Sequence, residues 1–150
     1  MRKPTPTRSM NPRKAAGVTL LELMIVVVVM GVLAVIGVPT YRQYMQRTHR
    51  TEAKSALLRI AAEQERFYLQ NNTYTNNLAA LGFPGAVSEN AVYTLAIPAA
   101  NATAFTATAT PRAGGGTNGV DQTGDAQCAT FTINAQGIRT AAPNPNNNCW

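Results

Sequence analysis

Glu22 stands at the edge of a long apolar stretch, in the segment Gly17-Val18-Thr19-Leu20-Leu21-Glu22-Leu23, and every residue from Leu23 to Val38 is apolar or Gly. A carboxylate inside such a span costs on the order of 2.5–3.5 kcal/mol at a helix centre and less near its end. Alone it would tend to take up a proton, so it calls for a positive partner. Proteolysis would supply one. The small pair Ala16-Gly17 precedes the apolar run, and a cut after Gly17 exposes an α-amino group on Val18, close to Glu22 in the chain. The other residues with chemical potential are few. Cys128 and Cys149 are the two cysteines, and an even count in an exported domain points to one disulfide, against two free thiols in a cytosolic one. His49 is the single histidine and has no histidine or cysteine beside it, which argues against zinc. Asp121-Gln122-Thr123-Gly124-Asp125 lacks the alternating acids and terminal Glu of a calcium loop and reads as a polar surface turn. No phosphate loop, dinucleotide fingerprint or hydrolase triad occurs, so neither catalysis, a metal nor a cofactor is expected.

The elements that must position Glu22 follow from charge and hydropathy. The chain has 150 residues and a formal charge of +6. Arg2, Lys3, Arg8, Arg13 and Lys14 lie before any acid, and beyond Gly17 the remaining 8 bases face 7 acids. The high pI is therefore a property of a basic leader, as the positive-inside bias of membrane segments requires, and says little about nucleic acid. Leu23–Val38 would be about 24 Å long as a helix, too short for a hydrocarbon core of roughly 30 Å, whereas a helix from Val18 reaches about 32 Å. Glu22 thus falls within or at the edge of the spanning helix. The run exits through Gly37-Val38-Pro39-Thr40-Tyr41, a poor secretory cleavage site, so cleavage on the basic side would leave the apolar helix as the new N-terminus. Gly31, Gly37 and Pro39 interrupt this helix. Pro39 removes a backbone donor and crowds the preceding turn, so a kink or local loosening is expected there.

Residues 1–17 form the leader and 18–39 the membrane helix; residues 40–150 form a head. Residues 40–70 are amphipathic: Ala53, Leu57, Ile60, Gln64 and Phe67 recur at helical spacing, with Gln64 the one poor member of the stripe. Asn71-Asn72-Thr73 ends the helix, and residues 71–90 connect it to a sheet over 91–141. A short helical turn is expected around Leu78–Leu81. Val92–Ile97 reads as a strand stopped by Pro98, and Phe105–Thr110 as a strand stopped by Pro111. Thr130–Ile133 and Ile138–Thr140 flank the hairpin turn Asn134-Ala135-Gln136-Gly137. Gly114-Gly115-Gly116 and Asn118-Gly119 mark a flexible loop. Residues 142–150 are an Asn/Pro tail, tied back if Cys149 meets Cys128. The fold class is α+β, one long helix packed on an antiparallel sheet of about four strands.

Gly17-Val18-Thr19-Leu20-Leu21-Glu22 followed by an uninterrupted apolar helix resembles the class III signal of type IV pilins. The resemblance implies that a prepilin peptidase cuts between Gly17 and Val18 and methylates the Val18 amine. It also implies the pilin fold: a long N-terminal helix, a connecting loop, a sheet and a C-terminal disulfide-bounded loop. Glu22 falls at the family's acidic position, which pairs with the methylated terminus of an adjacent subunit and acts in register and assembly. Arg50-Thr51-Glu52-Ala53, Gln64-Glu65-Arg66-Phe67-Tyr68, Tyr74-Thr75 and the ending Cys149-Trp150 are similar to the PilE-type minor pilins, which prime or tip the pilus and support twitching motility. The partners so implied are other pilin subunits in a helical filament, the prepilin peptidase, the inner-membrane assembly machinery and, before assembly, the inner membrane itself, with the head in the periplasm.

Alternatives within this likeness are a major pilin, a DNA-binding pilin for uptake, and a type II secretion pseudopilin. The bases Arg42, Arg47 and Arg50, with His49, would serve a nucleic acid or lipid phosphates. A solvated helix face with pairing between subunits is the favoured reading, in keeping with a near-neutral mature chain. Tyr41 and Tyr44 suit a membrane interface or packing between subunits.

Overall fold

Thr19 starts the first element. Its Oγ1 accepts the Glu22 N–H at 3.2 Å and its carbonyl accepts the Leu23 N–H at 3.2 Å, the N-cap arrangement that satisfies otherwise orphaned donors. Helix α1 then runs from Leu20 to Asn71 without a break through Gly31, Gly37 and Pro39, two residues in from the expected start. It ends where Asn72 turns left-handed at φ 53°, a conformation asparagine tolerates better than most residues. This computed structural model describes residues 17–117, 119–143 and 149–150. Residues 1–16 of the expected leader 1–17, Asn118 of the expected flexible loop and residues 144–148 of the expected tail lie outside the described residues, as do the side chains of Pro39 and Arg42.

The chain divides into two units, Met1–Pro39 and Thr40–Trp150. In the first, every described side chain from Leu20 to Val38 is exposed. A helix that is apolar all round has no solvated face and suits lipid or a bundle of like helices. Here α1 is long and apolar enough to cross a membrane.

In the second unit, α1 presents one stripe to the core. Ala53, Leu57, Ile60 and Gln64 are all 0% exposed and follow the i, i+4, i+7, i+11 rhythm of one helix face. Gln64 fits because both ends of its amide are used: Nε2 donates to the Thr75 carbonyl at 2.5 Å and Oε1 accepts the Thr75 N–H at 3.1 Å. A buried amide is tolerated when its polar atoms are satisfied. The stripe packs with Tyr93, Leu95, Phe105, Phe131 and Ile133 in one hydrophobic cluster. After α1 comes a single short 3-10 turn, Ala79–Leu81, at the place expected for a helical turn.

Four strands follow: β1 Tyr93–Ala100, β2 Phe105–Pro111, β3 Cys128–Asn134 and β4 Arg139–Pro143. They form an antiparallel meander in chain order. In β2, Phe105, Ala107 and Ala109 point inward while Thr106, Thr108 and Thr110 lie on the outer side, the period of two that a half-buried strand requires. Strand boundaries differ from expectation, and β2 takes in Pro111 instead of stopping before it. β1 passes through Pro98 instead of stopping there. It is an edge strand whose register slips between Ala96 and Ala99, so Pro98 occupies an irregularity where no ladder donor is needed. β3 begins at Cys128, not Thr130, and β4 runs on to Pro143, into what reads as tail. The pairs Cys128↔Pro143 and Thr130↔Ala142 extend a ladder that only the partner strand defines. The turn at Asn134–Gly137 forms as expected, with Gly137 at φ 73°.

Candidate functional site

Gly17, Val18 and Thr19 precede the helix in irregular backbone, and Val18 is 72% exposed. Glu22 lies in the first turn of α1, where the helix dipole favours an acid. The backbone cap comes from Thr19 rather than from Glu22 itself. Among the described residues, none makes an ion pair or side-chain hydrogen bond with the Glu22 carboxylate. The carboxylate therefore stands beside the apolar surface of Leu20, Leu21, Leu23 and Ile25, all exposed, with its charge uncompensated within the described chain.

The charged groups of the head are organised differently from the expectation of a solvated face. Arg50 is buried, and its Nε and Nη2 donate to Oδ2 and Oδ1 of Asp125 at 2.6 and 2.8 Å. Asp125 is itself only 2% exposed and also accepts the Cys128 N–H at 3.3 Å. The segment 121–125 is thus a surface turn only in its first part. Asp121 is exposed and accepts from the Thr123 N–H and hydroxyl at 2.8 and 2.6 Å, and these two bonds hold its carboxyl below the usual range. Gln122 is buried and donates to the Gln46 carbonyl at 3.0 Å. The turn therefore docks on α1 through Gln122 and Asp125. Local patterning hides this pairing, because Arg50 and Asp125 lie 75 residues apart. One signal was available: Arg50 precedes Ala53, Leu57 and Ile60 on the same helical stripe, a position where an unpaired charge would be costly.

Arg47, Arg50 and Lys54 share a face of α1 and, with Gln127 and Cys149, line an open hollow of about 500 Å³. A second hollow of about 260 Å³, with Gln43, Gln46 and Asp125 in its wall, shares Arg47, Arg50 and Gln127 with the first. Burial and then the Arg50 charge push the Lys54 ammonium below its ordinary pKa, the direction expected when a cation is desolvated beside another cation. His49 carries a buried Nε2 with no hydrogen-bond partner among the described residues, and among the described residues no group of three His, Cys, Asp or Glu side chains is placed to hold a metal.

Cys128 and Cys149 form the disulfide. The Trp150 indole donates to the Thr140 carbonyl at 2.8 Å, meets Phe131 edge-on at 5.9 Å and lies under the Arg139 guanidinium at 5.7 Å, so the end of the chain is fastened across β3 and β4. Elsewhere on the head Glu52 accepts from the Asn90 backbone and side chain at 2.9 and 3.2 Å, and Arg59 stacks on Phe83 at 4.8 Å. Both line an open groove of about 520 Å³ between α1 and the connecting loop.

Comparison with known proteins bears on both units. Residues 39–137 match the family described as "Type IV minor pilin ComP, DNA uptake sequence receptor", and residues 12–38 match the "Prokaryotic N-terminal methylation motif". Among solved structures, the chain is similar to the non-core minor pilin PilV of Neisseria meningitidis, with 24% identity over 71% of this chain and 94% of that one and a TM-score of 0.50. It is also similar to a type IV pilin of Shewanella oneidensis, with 21% identity over 70% and 97% and a TM-score of 0.44. The likeness to PilV supports the fold: a long helix on a four-stranded antiparallel sheet with a C-terminal disulfide. No curated protein matches the chain. A family match over well more than half of the chain, joined to a methylation motif on an exposed apolar helix, shows that this chain belongs to the type IV minor pilins.

Proposed function

We propose that this minor pilin primes assembly or sits at the tip of the pilus, supporting twitching motility, and that it acts by assembly rather than by catalysis. The observation that carries this reading is an uncompensated carboxylate, Glu22, in the first turn of a helix exposed and apolar on every described side. In the bilayer the helix is satisfied by lipid. Leaving lipid, it requires an equally apolar place, and a bundle of like helices supplies one. Small residues such as Gly31, Ala34 and Gly37 allow close approach there. Head-to-tail contacts that do not close generate helical polymers.

In this reading a prepilin peptidase cuts between Gly17 and Val18 and the Val18 amine is methylated. The inner-membrane machinery then extracts the subunit, whose head waits in the periplasm. Glu22 pairs with the terminal amine of the adjacent subunit. Buried ion pairs are weak evidence for stability but good register devices, so the pair specifies axial position. Gly31, Gly37 and Pro39 are the places where α1 loosens as the filament packs. The test is Glu22→Ala. It is cleaved and inserted normally, but its recovery in sheared filaments falls about tenfold, equivalent to about 1.4 kcal/mol per contact. Normal recovery of that variant, measured by quantitative mass spectrometry, would end the proposal.

The family description supports a second reading, in which this subunit receives DNA for uptake. It predicts duplex binding that weakens steeply with salt, because phosphate contacts release counterions.

A further inference from the structure

The hollow beside the disulfide holds more positive charge than the head compensates. Arg47, Arg50 and Lys54 recur at i, i+3 and i+7 on α1, and like charges at these spacings repel. Only Asp125 brings an acid to either part of the hollow, and Asp125 is already engaged with Arg50 through both of its oxygens. Among the described residues, no salt bridge reaches Arg47 or Lys54. Two cations are thus left facing a concave space floored by a neutralised pair and edged by the amides of Gln43 and Gln127. Such a site selects an anion small enough to enter.

We infer that this hollow is a docking site for a carboxylate presented by the neighbouring subunit of the filament, with Arg47 and Lys54 as its ligands and the Arg50–Asp125 pair as its fixed wall. The inference rests on the assembly reading above. Two observations favour a subunit over nucleic acid. The hollow is lined from Gln43 onward, only a few residues along the chain from the apolar segment that the assembly reading packs against neighbouring subunits. The head also carries exposed acids outside any salt bridge among the described residues, Glu65, Glu89 and Asp121, so a copy or a related subunit has carboxylates to offer. Charge complementarity of this kind sets register and excludes wrong partners more than it adds affinity.

Lys54 makes the test specific, because Lys3 and Lys14, the other lysines of the chain, lie in the leader. Sheared filaments containing the full-length mature protein are treated with a carbodiimide, which joins an amine to a carboxylate in direct contact. Mass spectrometry should find Lys54 bonded to an Asp or Glu of another pilin chain. Finding Lys54 unmodified, or joined only within its own chain, overturns the inference. In parallel, the double variant Arg47→Glu, Lys54→Glu should fold with its disulfide formed yet be recovered in filaments about tenfold less, while Arg47→Lys, Lys54→Arg is recovered normally. If Glu22→Ala is lost from filaments but the double-Glu variant is recovered normally, the docking site is wrong and the assembly reading stands. If Glu22→Ala is recovered normally, the assembly reading itself has failed. Normal recovery of the double-Glu variant with diminished capture of duplex DNA assigns the hollow to nucleic acid instead.

Discussion

At the scale of single residues, the head depends on one buried ion pair. Arg50 and Asp125 join α1 to the segment entering β3, and Asp125 also holds the Cys128 amide. Removing one partner of such a pair leaves a buried charge, at a cost of about 3–5 kcal/mol, whereas replacing both by apolar groups is often nearly neutral. Asp125→Asn is therefore expected to lower unfolding free energy by several kcal/mol, and Arg50→Met with Asp125→Leu to restore only part of it, because the Cys128 amide loses its acceptor. Denaturant titration of the two variants checks this. A similar loss in both would mean that the pair contributes shape rather than charge compensation. Glu22 differs in kind. Its charge has no partner among the described residues, so under the proposed function Glu22→Ala should act on assembly and lower the stability of the isolated chain by no more than the ~0.3–1 kcal/mol of the helix-dipole interaction.

At the scale of elements, the long helix and the alternating strands were legible because their hydrophobic periods are local. The stripe Ala53, Leu57, Ile60 and the rhythm of Phe105–Thr110 appear in the structure where the sequence places them, with Pro111 added to the strand. Strand ends were less legible. β1 continues past Pro98 because an edge strand with a register slip needs no donor there, and β4 continues to Pro143 because β3 is present to pair with it. The glycines before β3 mark a flexible loop in the sequence, yet Gly116 is held tightly. A Cβ there would strike the Asn90 carbonyl oxygen and the Val92 side chain, while Thr117 donates to that same carbonyl at 2.9 Å. Gly116→Ala should cost about 1–3 kcal/mol through overpacking, seen as a lower thermal midpoint. Gly124→Ala, where an added Cβ meets nothing within 4 Å, serves as the control and should change little.

At the scale of the molecule, the two units have opposite requirements. Every buried side chain among the described residues belongs to Thr40–Trp150, and the described apolar residues of Met1–Pro39 are exposed. A head beginning at Thr40 should therefore fold alone as a soluble monomer with a single cooperative unfolding transition. Size-exclusion chromatography and thermal melting check this. Aggregation of that fragment, or a gradual melt, would show that the head needs the helix it has lost. The full chain, by contrast, should require detergent, lipid or neighbouring subunits, since its exposed apolar helix has no cover of its own.

What the amino-acid order determined by itself was everything that depends on near neighbours: the basic N-terminal stretch, the methylation motif with its acid, the apolar helix, the amphipathic stripe and the alternating strands. Each is set by periodicity or by a short motif, so a few turns of chain suffice to read it. Tertiary structure alone decided which charges are spent and which are left over. The helical stripe marks Arg50 as a costly position for a charge, but its partner is not visible locally: only the return of Asp125, 75 residues on, neutralises Arg50 and leaves Arg47 facing an open hollow. Compensation of charge depends on distance in space, and that distance does not exist until the chain has folded.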